Sequence, residues 1–231
     1  MHIIIPVWFY GFDSAMYLVS SLIGFLVSFY FNKIYSISSE KKHMYLYLGF
    51  LLLSIGFVTL SITNIFSYIV FNNCHTSCEL GLMDDAFSLE DFSYFMYFGL
   101  SLFAYVLFIN SYLSKNSKFH KIFITIFSVY FLVIISFLSL NDDYKLWYSY
   151  HEYFHLASLI IMIFISFKNV LNYNEKRSLN SFLVMISFML ISIFHLLHLF
   201  SFISGWMYVF AHISVLSGFI TLLIMLLRVK K

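Results

Sequence analysis

Seven uninterrupted apolar runs divide the chain, near Ala15–Phe31, Tyr45–Phe71, Phe92–Ile109, Ile122–Leu140, Trp147–Phe167, Phe182–Phe202 and Trp206–Leu227. Each is long enough to cross a hydrocarbon core roughly 30 Å thick, which takes about 17 to 25 residues of helix. A backbone in hydrocarbon must satisfy its own hydrogen bonds, and runs this long and continuous do so as helices, not as barrel strands. The expected fold is therefore all-α, a single integral membrane domain over residues 1–231 built as a bundle of seven transmembrane helices. Composition agrees. Of 231 residues 61% are hydrophobic and only 10% charged, where a soluble domain would carry about a quarter charged residues.

The basic residues orient the bundle. Lys33, Lys41 and Lys42 follow the first run, and Lys115, Lys118 and Lys121 the third. Lys168, Lys176 and Arg177 follow the fifth, and Arg228, Lys230 and Lys231 the last. Twelve of the 13 Lys and Arg residues thus share one side, with only Lys145 opposite. The positive-inside rule puts that side in the cytoplasm, the N-terminus outside and the C-terminus inside. Asp13, Glu79, Asp84, Asp85, Glu90, Asp91, Asp142 and Asp143 fall outside or at the outer boundary, and only Glu40 and Glu175 inside. The expected location is the cytoplasmic membrane of a prokaryote, multi-pass. The start has no basic segment and no small-residue cleavage site after its first apolar run, so no removable signal is expected.

No loop between the runs holds a domain; the longest, Asn72–Asp91, has about twenty residues. Function is expected in the bundle, with the lipid bilayer as its partner, and signalling output would need a cytoplasmic effector in trans. Nothing suggests nucleic-acid binding. The only proline, Pro6, precedes the first run, which argues against the interrupted helices on which many transporter sites are built.

Five of the nine histidines lie on the last three runs: His151 and His155, His195 and His198, and His212. At the rise of a helix they fall roughly 6 to 12 Å below the outer boundary, in one layer. His151 and His155 are four apart and His195 and His198 three apart, so each pair lines one side of its helix. The turn Ile203–Gly205 makes the last two runs antiparallel neighbours. Ionisable groups inside a membrane are costly and face the bundle interior. Neutral imidazoles at common depth on three helices fit a transition-metal site, zinc or copper, with all five histidines as candidate ligands. Tyr148, Tyr150, Tyr153, Tyr208, Ser158 and Ser214 are candidates to hold the remaining ring nitrogens. Haem iron is a second use of the same groups, held by His155 with His195 or His212. Redox or sensing work follows from either cofactor. A bundle whose histidines only join helices, or respond to pH without metal, is the structural alternative.

His151-Glu152-Tyr153-Phe154-His155 resembles the HExxH of zinc proteases, in which two histidines on one helical face hold zinc and the glutamate activates water. That resemblance implies Glu152 as catalytic base in an intramembrane zinc hydrolase. The chain departs from the pattern in having no carboxylate third ligand after His155, so a histidine from the sixth or seventh run would have to serve. Cys74 and Cys78 flank His75 on the outer side, either as a short-loop disulfide or as soft-metal ligands.

Seven helices with the N-terminus outside invite comparison with rhodopsins, but the last run has no lysine before Arg228 and so no Schiff-base position. Ceramidase and adiponectin-receptor-like hydrolases carry a histidine on their second helix and HxxxH on their last. Here the second run has no such histidine, and HxxxH lies on the fifth. Trp8-Phe9-Tyr10-Gly11-Phe12-Asp13, Phe194-His195 and Tyr208-Val209-Phe210-Ala211-His212 look similar to uncharacterised prokaryotic, especially archaeal, seven-helix proteins and sensor-type membrane domains. The likeness implies a fold and no assigned reaction.

Overall fold

A computed structural model describes residues 6–9, 11–74, 81–112 and 146–229. Among them are a short 3-10 turn, Val7–Phe9, and six α-helices, with no strand. The helices are α1 (Phe12–Ser38), α2 (Lys41–Cys74), α3 (Gly81–Tyr112), α4 (Leu146–Lys176), α5 (Leu179–Leu199) and α6 (Gly205–Val229). All six contain segments long and apolar enough to cross a membrane. The run Ile122–Leu140 and residues His75 to Cys78 lie outside the described residues, as does any pairing of the two cysteines.

The helices outrun the apolar segments that announce them. The expected loop Asn72–Asp91 is mostly helical instead, with α2 reaching Cys74 and α3 starting at Gly81. Hydropathy marks only the length that lipid demands, and a helix can continue past it into water. Ends are set locally. Ser178 caps α5, its hydroxyl accepting from the Ser181 N–H at 3.2 Å, and Gly11 opens α1 at φ +89°, a left-handed conformation that a side chain would strain.

Neighbours along the described chain pack on one another, and α1 closes the ring against α6. Lipid tails are as apolar as leucine, so close packing and interhelical hydrogen bonds hold such a bundle together. Both are present. Ser28 donates to the Tyr47 carbonyl, Ser61 to the Ser14 carbonyl, Ser93 to Thr63 and Ser214 to the Leu190 carbonyl. Gly218 brings α6 so close to α5 that an added Cβ would lie 3.1 Å from the Ser187 carbonyl. Outward-facing Leu22, Phe29, Ile62, Ile160 and Leu227 are exposed, a surface suited to lipid as solvent.

These contacts also set directions. Successive helices are antiparallel except at one place: Phe98 stacks on Phe154 and Tyr112 donates to Asn169, so α3 and α4 run parallel. Asp13 meets Tyr208, and Gly24 meets Phe219, so α1 and α6 are parallel too.

Candidate metal centre

Five buried histidines meet between α4, α5 and α6. His151 and His155 project from one face of α4 with ring centroids 4.3 Å apart. His198, from α5, stacks on His155 at 4.4 Å and lies 5.3 Å from His151. These three each offer a nitrogen within 4.8 Å of the others. Zinc–nitrogen bonds of about 2.0–2.1 Å would draw such atoms to roughly 3.3 Å from one another, a small movement for side chains. Phe98, Phe154 and Phe194 wall the group.

His195 and His212 stand beside the triad in different ways. The Nδ1 of His195 lies 2.9 Å from the Nδ1 of His155, and its Nε2 lies 2.8 Å from the Tyr105 hydroxyl on α3. Both ring nitrogens of His195 are therefore occupied. The arrangement leaves His155 a free Nε2 lone pair when His155 donates from Nδ1, His195 accepts on Nδ1, and the Nε2–H of His195 donates to Tyr105. His195 then orients a ligand, as the outer partner of a metal-bound imidazole does. His212 donates from Nδ1 to the Tyr208 carbonyl at 2.8 Å, which turns its Nε2 into an acceptor; its ring is 5.2 Å from that of His198.

Half of the ten ring nitrogens in this cluster lack a partner among the described residues. Both of His151, both of His198 and the Nε2 of His212 are buried and make no hydrogen bond to a described residue. A buried polar group left unpaired costs about 1–3 kcal/mol, and five such atoms within one pocket are a strong departure from ordinary interiors. Three neutral nitrogen donors converging in a dry pocket fit a transition-metal ion. They fit a porphyrin less well. Bis-histidine haem needs its axial rings parted by the macrocycle, whereas His155 touches both His195 and His198.

The other residues expected at the site divide. Glu152 is half-buried next to His151 and makes no hydrogen bond to a described residue. Tyr153 is 59% exposed and points away. Ser158 is buried with its hydroxyl unpaired, Ser214 is spent on the Leu190 carbonyl, and Tyr208 lies against both His198 and His212. The side chains of Tyr148 and Tyr150 are outside the described residues. Tyr105 and Asp13 were not anticipated. Tyr105 is one of 18 tyrosines and nothing in its local sequence sets it apart. Asp13 did carry a signal, an acid within the first turn of a spanning helix, but by hydropathy it passes for a boundary residue.

Tyr105→Phe removes the hydroxyl that His195 Nε2 requires. The expected result is a loss of about 1–3 kcal/mol in stability and a drop of roughly 10- to 100-fold in metal affinity, measured by thermal unfolding and by chelator competition.

Fold and site together define a class: an all-α, multi-pass membrane protein with a buried histidine triad that could hold a metal ion. No protein-family model, no curated protein and no solved structure matches the chain.

Proposed function

We propose that this protein binds a single transition-metal ion inside the membrane through His151, His155 and His198, with His212 alongside and His195 orienting His155, for redox or sensing work. The observation that carries this reading is the set of five buried imidazole nitrogens with no partner among the described residues. Coordination by a metal is the bond such nitrogens lack, and their close packing favours an ion over haem. Protein purified without a histidine tag is expected to contain near-stoichiometric metal by plasma mass spectrometry. No metal, even after reconstitution, would return the histidines to a helix-joining or pH-responsive role.

The same reading includes seven spans, with the N-terminus outside and the C-terminus in the cytoplasm of a prokaryotic cell. Parallel α3 and α4 support it, as does the spanning length of the apolar run Ile122–Leu140 between them in the sequence. The distribution of lysine and arginine supports the orientation. The metal layer then lies near the outer face, and a signal would pass to a cytoplasmic effector in trans. Segments that resemble archaeal seven-helix proteins gather at this layer: Phe9 packs on His212 and Asp13 meets Tyr208.

A hydrolase is a second reading, favoured by the triad's use of both histidines of the HExxH and by a Glu152 without a described partner. Glu152→Gln should then keep the metal and lose hydrolysis of lipid or peptide substrates. Unchanged turnover in that variant would exclude Glu152 as the base.

A further inference from the structure

Asp13 is the one carboxyl group buried among the described residues, and no lysine or arginine is buried there. It lies in the first turn of α1, 3% exposed. Its Oδ1 accepts from the backbone N–H groups of Ser14 at 2.7 Å and Gly11 at 3.1 Å, and from the Ser14 hydroxyl at 3.3 Å. Helix capping explains those bonds and the favourable dipole at this end. It does not explain Oδ2, which turns inward and accepts from the Tyr208 hydroxyl at 3.1 Å and the Asn64 amide at 3.4 Å. Oδ1 faces two backbone N–H groups and Oδ2 faces the Asn64 amide and the Tyr208 hydroxyl, a setting of donors that suits a carboxylate. A negative charge so placed calls for a positive one nearby.

The Tyr208 ring that holds Oδ2 lies 4.3 Å from His212 and 5.3 Å from His198, centroid to centroid. The carboxylate therefore stands one phenol away from the triad, whose own ligands carry no charge. We infer that Asp13 is the counter-charge of the histidine site, held beside it by Tyr208, and that it suits the site to copper(I). This rests on the metal reading above. Three neutral imidazoles, one copper(I) and Asp13 sum to zero. A divalent ion leaves one uncompensated positive charge unless hydroxide fills a fourth position, and in a low-dielectric interior that difference is large. Imidazole is a suitable ligand for copper, and copper(I) is satisfied by three donors.

The test is competition for the tag-free full chain between a chromophoric copper(I) chelator under anaerobic, reducing conditions and, separately, a zinc dye. Copper(I) is expected at one per chain and at least about tenfold tighter than zinc, from the uncompensated charge. X-ray absorption should show three nitrogen donors. Asp13→Asn keeps the shape and removes the charge, and should weaken copper(I) by about tenfold. Tyr208→Phe leaves the carboxylate but frees Oδ2 from α6, and should cause a smaller loss; it also serves if Asp13→Asn does not fold. Copper(I) binding unchanged in a folded Asp13→Asn, or in Tyr208→Phe should the first not fold, would overturn the inference. So would tighter zinc with an oxygen as fourth donor, although the metal reading would survive. Wild-type protein that binds neither ion better than a His155→Ala/His198→Ala variant would overturn both.

Discussion

Replacing His155 and His198 together by alanine is expected to abolish stoichiometric metal while leaving a folded bundle. Structural metal sites bind with roughly 10–16 kcal/mol in total, so each of three ligands carries on the order of a third, and losing even one should weaken affinity at least about 100-fold. The effect on the metal-free protein has two opposing parts. Truncating each imidazole leaves a cavity, and losing His155 also leaves the Nδ1 of His195 without its partner, both of which cost stability. Truncation also removes both unpaired nitrogens of His198, whose burial is unfavourable in the free protein. Thermal unfolding of the metal-free double variant should accordingly lie close to that of metal-free wild type, whereas metal should raise the wild-type midpoint alone. Ligand at 100 times its dissociation constant stabilises by about 2.7 kcal/mol. If the histidines only pin helices together, the variant will be destabilised with or without metal, and chelator will not move the wild-type midpoint.

Gly49→Ala should be strongly destabilising. A Cβ there would sit 2.5 and 2.8 Å from ring atoms of Phe108 and 3.2 Å from the Ala104 carbonyl. Phe108 cannot swing aside, because it is fully buried among Phe50, Phe188 and Tyr105. α2 and α3 must then separate, at about 2–3 kcal/mol, the scale of overpacking in a close-packed interior. The shift would also disturb Tyr105, and with it the hydrogen bond that orients His195. Gly99→Ala is the control, since an added Cβ at Gly99 meets nothing within 4 Å. That change should be neutral or stabilising by up to about 1 kcal/mol, as expected for alanine over glycine in a helix. Thermal midpoints in detergent decide between them; equal midpoints for the two variants would contradict the close contact of α2 with α3.

The histidine layer was legible because two local regularities converge on it. Helix rise places residues by depth, and spacings of three and four place them by face, so His151, His155, His195, His198 and His212 could be brought to one level without knowing which helices touch. What each one does could not be read that way. His195 looks from its spacing like a ligand equal to His198, yet its two nitrogens are taken by Tyr105 and His155. Glu152 follows the HExxH spacing without any described bond to show a role. Asp13 reads as a boundary acid until Tyr208, 195 residues away, is seen to hold its inner oxygen.

The sequence by itself determined that this chain is a helical membrane protein and where the apolar part of each described helix lies, though not where the helices end, since α3 begins at Gly81 and not near Phe92. Lipid imposes those features one segment at a time, through the length of apolar chain and the demand that each backbone satisfy itself. Only the tertiary structure decided which histidine nitrogens lack a partner among the described residues, that α3 and α4 run parallel, and that Asp13 bonds to the tyrosine that packs on His198 and His212. Those outcomes depend on contacts between residues far apart in the chain, such as Tyr105 with His195 across 90 positions, and no local pattern encodes which side chain will meet which.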